Sequence, residues 1–409
     1  MVVGQVDTWV ESTVADEFHV QLGKRLDAAV NRGELRSCIN NRGVRWGHVL
    51  ISESVLAPLT KPDIRDLRLV AGDVLVCEGG EIGRASVWND ELPEAYFLNT
   101  LHRLRSKGRY EPRLLVAFFE RWATTGELLA LVGKSSLAHL TKENLLRVYI
   151  PVPTPAEQKR LVETLLAVEK LIAGLERLVT KKQAIKQGMK QQLLTGNIRL
   201  PGFTGPWLKA SLGDISAFIT KGATPTTYGF KWESSGVLFL RSECVSEHGL
   251  DMTQSMFISS AANRALRRSQ VTDGDILMTI TGYVGRVIRL AGISSANINQ
   301  HIARVRINDS KFDRGFVYHF LSQRTVRDHY ETIVTGQAYP QISLKQVRET
   351  EILAPPVDEQ RAICEALNDA DTELAALRHR LVKARAVKQG MMQQLLTSRT
   401  RPRVSETAA

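Results

Sequence analysis

The residues of this chain that could do chemistry are polar and basic loop residues, and their types suit gripping a polyanion better than breaking a bond. Arg36, Asn41, Arg42, Arg45 and Trp46 fall in one stretch, and Lys221, Thr224, Thr226, Tyr228 and Lys231 in another. Arg84 and Arg286 each end a Gly-x-x-Gly-Arg turn, and Lys134-Ser135 has its positional counterpart around Gln337 and Tyr339. Such side chains read base edges or hold phosphates.

Catalytic patterns fail one by one. Gly79-Gly80-Glu81-Ile82-Gly83 lacks the G-x-G-x-x-G spacing of a phosphate cradle and is expected to be a structural turn. Gly133-Lys134-Ser135 looks like the end of a Walker loop, but Leu128 stands where the first glycine belongs. Pro62-Asp63 could open a nuclease motif, yet Asp73 and Glu78 have no lysine at the needed spacing. No Asn-Pro-Pro-aromatic sequence is present to hold a flipped base, no G-x-S-x-G elbow and no HExxH metal pair. The chain reads as a binder, with no metal or catalytic centre of its own.

The elements that must position these loops come twice. Glu157-Gln158 recurs as Glu359-Gln360, and Lys186-Gln187-Gly188-Met189 as Lys388-Gln389-Gly390-Met391. Gly72-Asp73, Gly80 and Gly83-Arg84 recur as Gly274-Asp275, Gly282 and Gly285-Arg286 at the same offset. A period this long is a duplicated domain, not a solenoid repeat. A duplicated binder has a pseudo-twofold axis, as duplex DNA does. Residues shared by the copies should serve the fold; loops that differ are where two copies could read two sequences.

In each copy a mixed stretch comes first. Strands are expected at 74–77, 101–105 and 147–151, with a helix over 113–122; their counterparts are strands at 276–280, 303–307 and 351–355 and a helix over 315–330. A long helix follows. Thr154, Pro155 and Glu157 form a cap and capping box. The apolar seam Leu161, Leu165, Val168, Ile172, Leu175, Val179, Ile185, Met189 and Leu193 alternates steps of four and three over most of its length, as a coiled coil does. The second seam is Ile363, Leu367, Ala370, Leu374, Leu377, Leu381, Val387, Met391 and Leu395. Helices of this length span about 60 Å, and a narrow seam needs a partner, so antiparallel pairing with each other is expected. The second half of each helix lacks acids, which suits either the helix macrodipole or an acidic or phosphate partner.

The expected class is α+β: two globular α/β domains, 1–153 and 201–355, separated by long antiparallel coiled-coil helices over 154–200 and 356–400, with a tail at 401–409. Matching Leu22-Gly23 to Leu212-Gly213 requires an insertion of about eight residues at the start of the first copy. The net charge of +11 favours polyanionic partners. Four scattered cysteines read as free thiols. With no apolar run of membrane length and no basic or apolar leader, a cytoplasmic location and no membrane partner are expected.

Pro153-x-Pro155-x-Glu157-Gln158 before a helix ending Lys186-Gln187-Gly188-Met189-Lys190-Gln191-Gln192-Leu193-Leu194-Thr195-Gly196, repeated from Pro355 to Thr397, resembles the specificity subunits of type I restriction-modification systems. The resemblance covers almost the whole chain. It implies two target recognition domains, each reading half of a split double-stranded DNA site. It implies helices that fix the unread gap and dock two methyltransferase subunits, with the seam residues Leu161, Leu165, Ile172, Leu175, Met189, Leu193, Ile363, Leu374, Leu377, Met391 and Leu395 as candidates. S-adenosylmethionine, ATP and Mg would belong to the methyltransferase and restriction subunits, and none to this chain. A two-lobed protein scaffold without DNA binding is the alternative.

Overall fold

In the computed structural model, residues 9–26, 32–128, 139–246, 249–336 and 339–397 are described. The chain divides into two compact units, one of residues 1–176 with 379–409, the other of residues 177–378. The divisions fall inside the long helices Pro155–Thr195 and Val357–Leu395. Each unit therefore holds a lobe, the first half of the helix that follows it and the second half of the other helix.

In the first unit a four-stranded antiparallel sheet runs in the order Phe18–Leu22, Leu101–Ser106, Val74–Cys77, Ala85–Val87. Beside it lies a three-stranded sheet of Val55–Leu59, Glu34–Ile39 and Tyr96–Phe97. Val10–Thr13 pairs with Tyr149–Val152, which leads into the first long helix. The helix Pro112–Thr125 buries Leu114, Leu115, Phe118 and Phe119 against the four-stranded sheet, and Leu161 and Leu165 from the long helix join the same core.

The second unit repeats this frame. Its four-stranded sheet is Ser216–Lys221, Ile302–Ile307, Ile276–Thr279, Val287–Arg289. Its second sheet is larger, with Trp232–Glu233, Met256–Ile258, Val237–Leu240, Ala296–Ile298 and Gln270–Val271. Leu208–Ser211 pairs with Glu351–Ala354.

The repeated motifs prove to be joints of this frame. Gln158 accepts from the Glu111 N–H at 2.7 Å and donates to the carbonyls of Arg109 and Pro153 at 3.2 and 3.0 Å. Gln360 does the same with Asp313, Lys311 and Pro355. Asp73 takes a bidentate pair from Arg105 at 2.7 Å, as Asp275 does from Arg306. Gly83 and Gly285 lie in the left-handed region at φ +72° and +79° and close the expected structural turns, their N–H groups bonding to the carbonyls of Cys77 and Thr279.

Three expectations change. The opening of the first copy needs no insertion. Gly23 and Gly222 are the matching pair: a Cβ on either would collide with backbone, of Leu98 in one case and Ile298 in the other. The strand pairs Val10–Val152 and Leu208–Ala354 make Trp9 and Trp207 correspond and Leu212 match Val14, and the one extra residue before Gly222 falls at the bulge between Ser216 and Phe218 of the second copy. The single helix expected over 315–330 is two, Arg314–Leu321 and Arg324–Ile333, with Ser322 at the break, where its hydroxyl and carbonyl receive the Lys190 ammonium at 2.7 and 2.8 Å.

The third change concerns the seam. Leu161, Leu165, Leu175, Leu193, Ile363, Leu374 and Leu377 are buried; Ile172, Met189, Met391 and Leu395 are half-buried. Ile185 and Val387 instead face solvent, at 45% and 53% exposure. Steps of six residues, 179 to 185 and 381 to 387, broke the alternation that had been followed. The continuing positions are Lys182 and Lys186 in one helix and Ala384, Lys388, Met392 and Leu396 in the other, and the last two are more buried than Met391 and Leu395.

The acid-free half-helices explain these lysines. In the first unit Glu176 meets Arg385 at 2.7 Å and Glu169 meets Lys388 at 3.0 Å. In the second, Glu373 meets Lys182 at 2.7 Å and Asp371 meets Lys186. In each unit one helix index rises as the other falls, so the half-helices pair antiparallel. The acidic partner of each basic half is the first half of the other helix.

Candidate nucleic-acid interface

In the first unit the loop after Glu34–Ile39 carries most of the candidates. Asn41 donates its N–H to Thr100 Oγ1 at 3.1 Å, and its carbonyl accepts from Arg84 Nη2 at 2.6 Å. Arg84 also pairs with Glu81 at 2.9 Å, and Glu81 accepts from Trp46 Nε1 at 2.6 Å. Asn41, Trp46, Glu81 and Arg84 thus form one brace joining the loop over 40–47 to the glycine turn. Arg45 donates to the carbonyls of Arg42 and Val44 and shapes its own hairpin. Arg36 is held by Glu34 and Glu94 at 2.5 and 3.6 Å. Arg42 stays exposed. Lys134 and Ser135 lie outside the described residues.

In the second unit the candidates converge differently. Gly222 turns the chain out of its strand, and Lys221 at that end is exposed. The segment then forms a short turn of helix over Pro225–Tyr228, closed by Gly229 with its N–H on the Thr226 carbonyl; Thr226, Tyr228 and Lys231 face solvent. Thr224 Oγ1 donates to Gln300 Oε1 at 2.5 Å, and Gln300 Nε2 lies 3.0 Å from His301 Nε2. The His301 ring approaches that of Tyr339 at 6.3 Å. The Gly282 N–H donates to the Pro340 carbonyl at 2.9 Å, tying this loop to the glycine turn. There Arg286 lies over the Tyr283 ring at 4.0 Å. Gln337 lies outside the described residues.

Sequence reasoning missed Tyr283, Gln300 and His301. The signal was present in part: Tyr283 stands where the first copy has Glu81, between glycines that both copies share. It also took Arg84 and Arg286 as equivalent. Arg84 braces a loop, whereas Arg286 lies against an exposed aromatic ring.

Ionisation is perturbed mainly behind these faces. Burial lowers Arg304 to about 10, with Arg306 adding to the effect and Asp275 opposing it. Burial also pushes the enclosed His319 down to about 4, and Lys190, which lines the crevice between the lobe of the second unit and its half-helices, down to about 8. Cys38, Cys77, Cys244 and Cys364 are buried and free. Among the described residues no cluster of His, Cys, Asp and Glu could hold a metal, and no helix is long and apolar enough to cross a membrane.

A family model for the type I restriction modification DNA specificity domain matches residues 36–187 and again 205–383. A putative type I restriction enzyme MjaX specificity subunit of Methanocaldococcus jannaschii is 24% identical over 360 residues, 84% of this chain and 82% of that protein. The type I restriction enzyme EcoBI specificity subunit of Escherichia coli is 24% identical over 264 residues, which is 59% of this chain and 56% of that protein. Among solved structures, a chain from work on complex assembly and conformational transition of the type I R-M system has a similar fold, with TM-score 0.62, 17% identity and coverage of 95% of this chain and 97% of that one. The type I restriction-modification S subunit from M. genitalium gives TM-score 0.59 at 13% identity over 99% of both chains. With two copies of one domain model spanning most of its length, the chain belongs to the type I restriction-modification DNA specificity family, and its work is the recognition of DNA sequence.

Proposed function

We propose that the chain is the non-catalytic reader of a multisubunit complex in the cytoplasm and that its two lobes take the two halves of a split duplex site. Two methyltransferase subunits carrying S-adenosylmethionine would methylate adenine, and restriction subunits using ATP and Mg would act on the same DNA. The long helices, about 60 Å each at 1.5 Å per residue, would set the unread gap. Arg42, Lys221 and Lys231 are the candidates for phosphate contacts. The outward cations Arg177, Lys181, Arg378, Arg380 and Lys383 suit partner docking better than the seam residues do, because most of the seam is buried.

One observation carries this reading. The joints of the frame recur residue for residue, while the loops do not: Glu81 and Thr100 help brace the loop of the first lobe, and at their places the second lobe carries the exposed Tyr283 and, as part of a Thr–Gln–His–Tyr cluster, His301. A duplicated frame with divergent loops suits reading two different sequences. Methylation mapping of DNA from cells producing the chain with its methyltransferase tests it. Two unlike half-sites around a fixed gap are expected; an uninterrupted site, or no sequence dependence, would overturn the reading in favour of a scaffold.

A further inference from the structure

Accepting that the second lobe reads one half-site, we infer that Gln300 is a specificity-determining residue of that lobe, reading an adenine edge. Its orientation, its surroundings and its absence from the first lobe all point to that role. The first is orientation. A base-reading amide must be fixed, because a free one can present either its oxygen or its nitrogen. Thr224 donates to Gln300 Oε1 at 2.5 Å, and His301 Nε2 receives Gln300 Nε2 at 3.0 Å. His301 is itself set by the Asn299 side chain, which accepts from its backbone N–H at 3.2 Å, and Asn299 is buried. Each end of the amide thus has one partner and keeps one free valence, an acceptor lone pair and a donor N–H. That pair matches adenine, which offers an N6 donor and an N7 acceptor.

The second is surroundings. Tyr339 and Tyr283 are 66% and 74% exposed, whereas Tyr330 of the same lobe is fully buried. Both belong to the loops joined by the Gly282–Pro340 hydrogen bond. Arg286 over Tyr283 adds a cation beside that face. A half-buried amide whose neighbour His301 meets the Tyr339 ring, in a loop cluster tied to Tyr283 and Arg286, suits a flat, polar group carried on an anionic backbone.

The third is divergence. The parallel strand pairs Ile39–Phe97 and Leu240–Ile298 put Asn99 of the first lobe at the position of Gln300, and Thr100 at that of His301. The Gly23–Gly222 match puts Arg25 at the position of Thr224. Thr100 is occupied in bracing Asn41. The frame is common to both lobes, and this triad belongs to the second alone.

The test uses the whole complex. A purified assembly of the chain with its methyltransferase subunits selects from duplexes randomised in both half-sites, and the same variants are mapped by methylation in cells. Gln300→Glu should change the preference at one base pair of one half-site from adenine towards cytosine, whose N4 group donates to a carboxylate. Gln300→Ala should flatten that position by roughly 5- to 150-fold in discrimination, the range of a bidentate base contact. The other half-site and the gap should stay as they are. Unchanged preferences at every position would overturn the inference, as would loss of preference in both half-sites or loss of all binding by both variants. Absence of site-specific binding by the unaltered complex would instead overturn the proposed function.

Discussion

Glu169 and Lys388 meet across the paired half-helices of the first unit, Oε1 to Nζ at 3.0 Å, and the residues one repeat away, Asp371 and Lys186, meet in the second unit. The lysine of each Lys-Gln-Gly-Met motif is therefore a pairing residue. Lys388 also reaches Glu120 at 2.8 Å, and its side chain is only 16% exposed. Burial alone would lower its pKa, but Glu120 and Glu169 reverse the sign and raise it. Stability from this group is thus present below the ordinary lysine value and fades as pH rises through the raised one.

Removing the acids should hurt more than removing the lysine. The double change Glu120→Gln with Glu169→Gln leaves a mostly buried ammonium without a counter-charge and should cost about 1–3 kcal/mol, whereas Lys388→Met should cost less, because a well-packed apolar side chain leaves no stranded charge. Chemical denaturation of the chain at pH 7 compares the two. Equal losses would mean that desolvation of Lys388 is not the controlling cost.

Gln158→Leu or Gln360→Leu should each destabilise by about 2–3 kcal/mol. Either change strands one backbone N–H and two carbonyls beside a buried side chain. Gln→Glu at the same positions should be no better, since a carboxylate cannot donate to the two carbonyls. Thermal unfolding of the single variants gives the comparison.

Lys190→Met should stabilise the chain at pH 7 by about 1–2 kcal/mol, because Met already serves at the matching position 392, where it is buried. The pH dependence has a definite sign. Burial lowers Lys190 to about 8, so between that pH and the ordinary lysine value the unfolded chain holds the extra proton. Stability of the natural chain should rise across that window, and the advantage of Lys190→Met should vanish above it. His319, lowered to about 4 by burial and then by Lys190, should make the natural chain lose stability as pH falls from about 6.5 to 4. That acid loss should shrink when Lys190 is replaced.

Lys221→Ala should weaken binding of the complex to all duplexes alike and reduce the slope of log affinity against log salt by about 0.9, the effect of one lost phosphate contact. Filter binding or fluorescence anisotropy at several salt concentrations reads this directly. A changed half-site preference would move Lys221 from phosphate grip to base reading.

Much of the frame was legible in the sequence because its joints are recurrent residues with unmistakable roles. Gly72-Asp73 marks a turn, Thr154 to Glu157 marks a helix start, and the alternation through Leu161, Leu165, Ile172 and Leu175 marks a stripe turned inward. The stripe became illegible where lysines entered it. A hydrophobic pattern cannot register Lys186 or Lys388, whose place on the buried face depends on acids about 185 to 220 residues away. The break at Ser322 was hidden because apolar periodicity continues on both sides of it. Gln300 and His301 were hidden because nothing local sets them apart; they become a site only when three loops distant in sequence are brought together.

The clamp formed by Gln158 and by Gln360 touches only main-chain atoms of the lobe it secures. It is therefore blind to which side chains that lobe displays. At this joint a domain needs only one amide and two carbonyls in the same disposition, so a lobe that also keeps the apolar face met by Leu161 and Leu165 could change its displayed loops without alteration of the clamp.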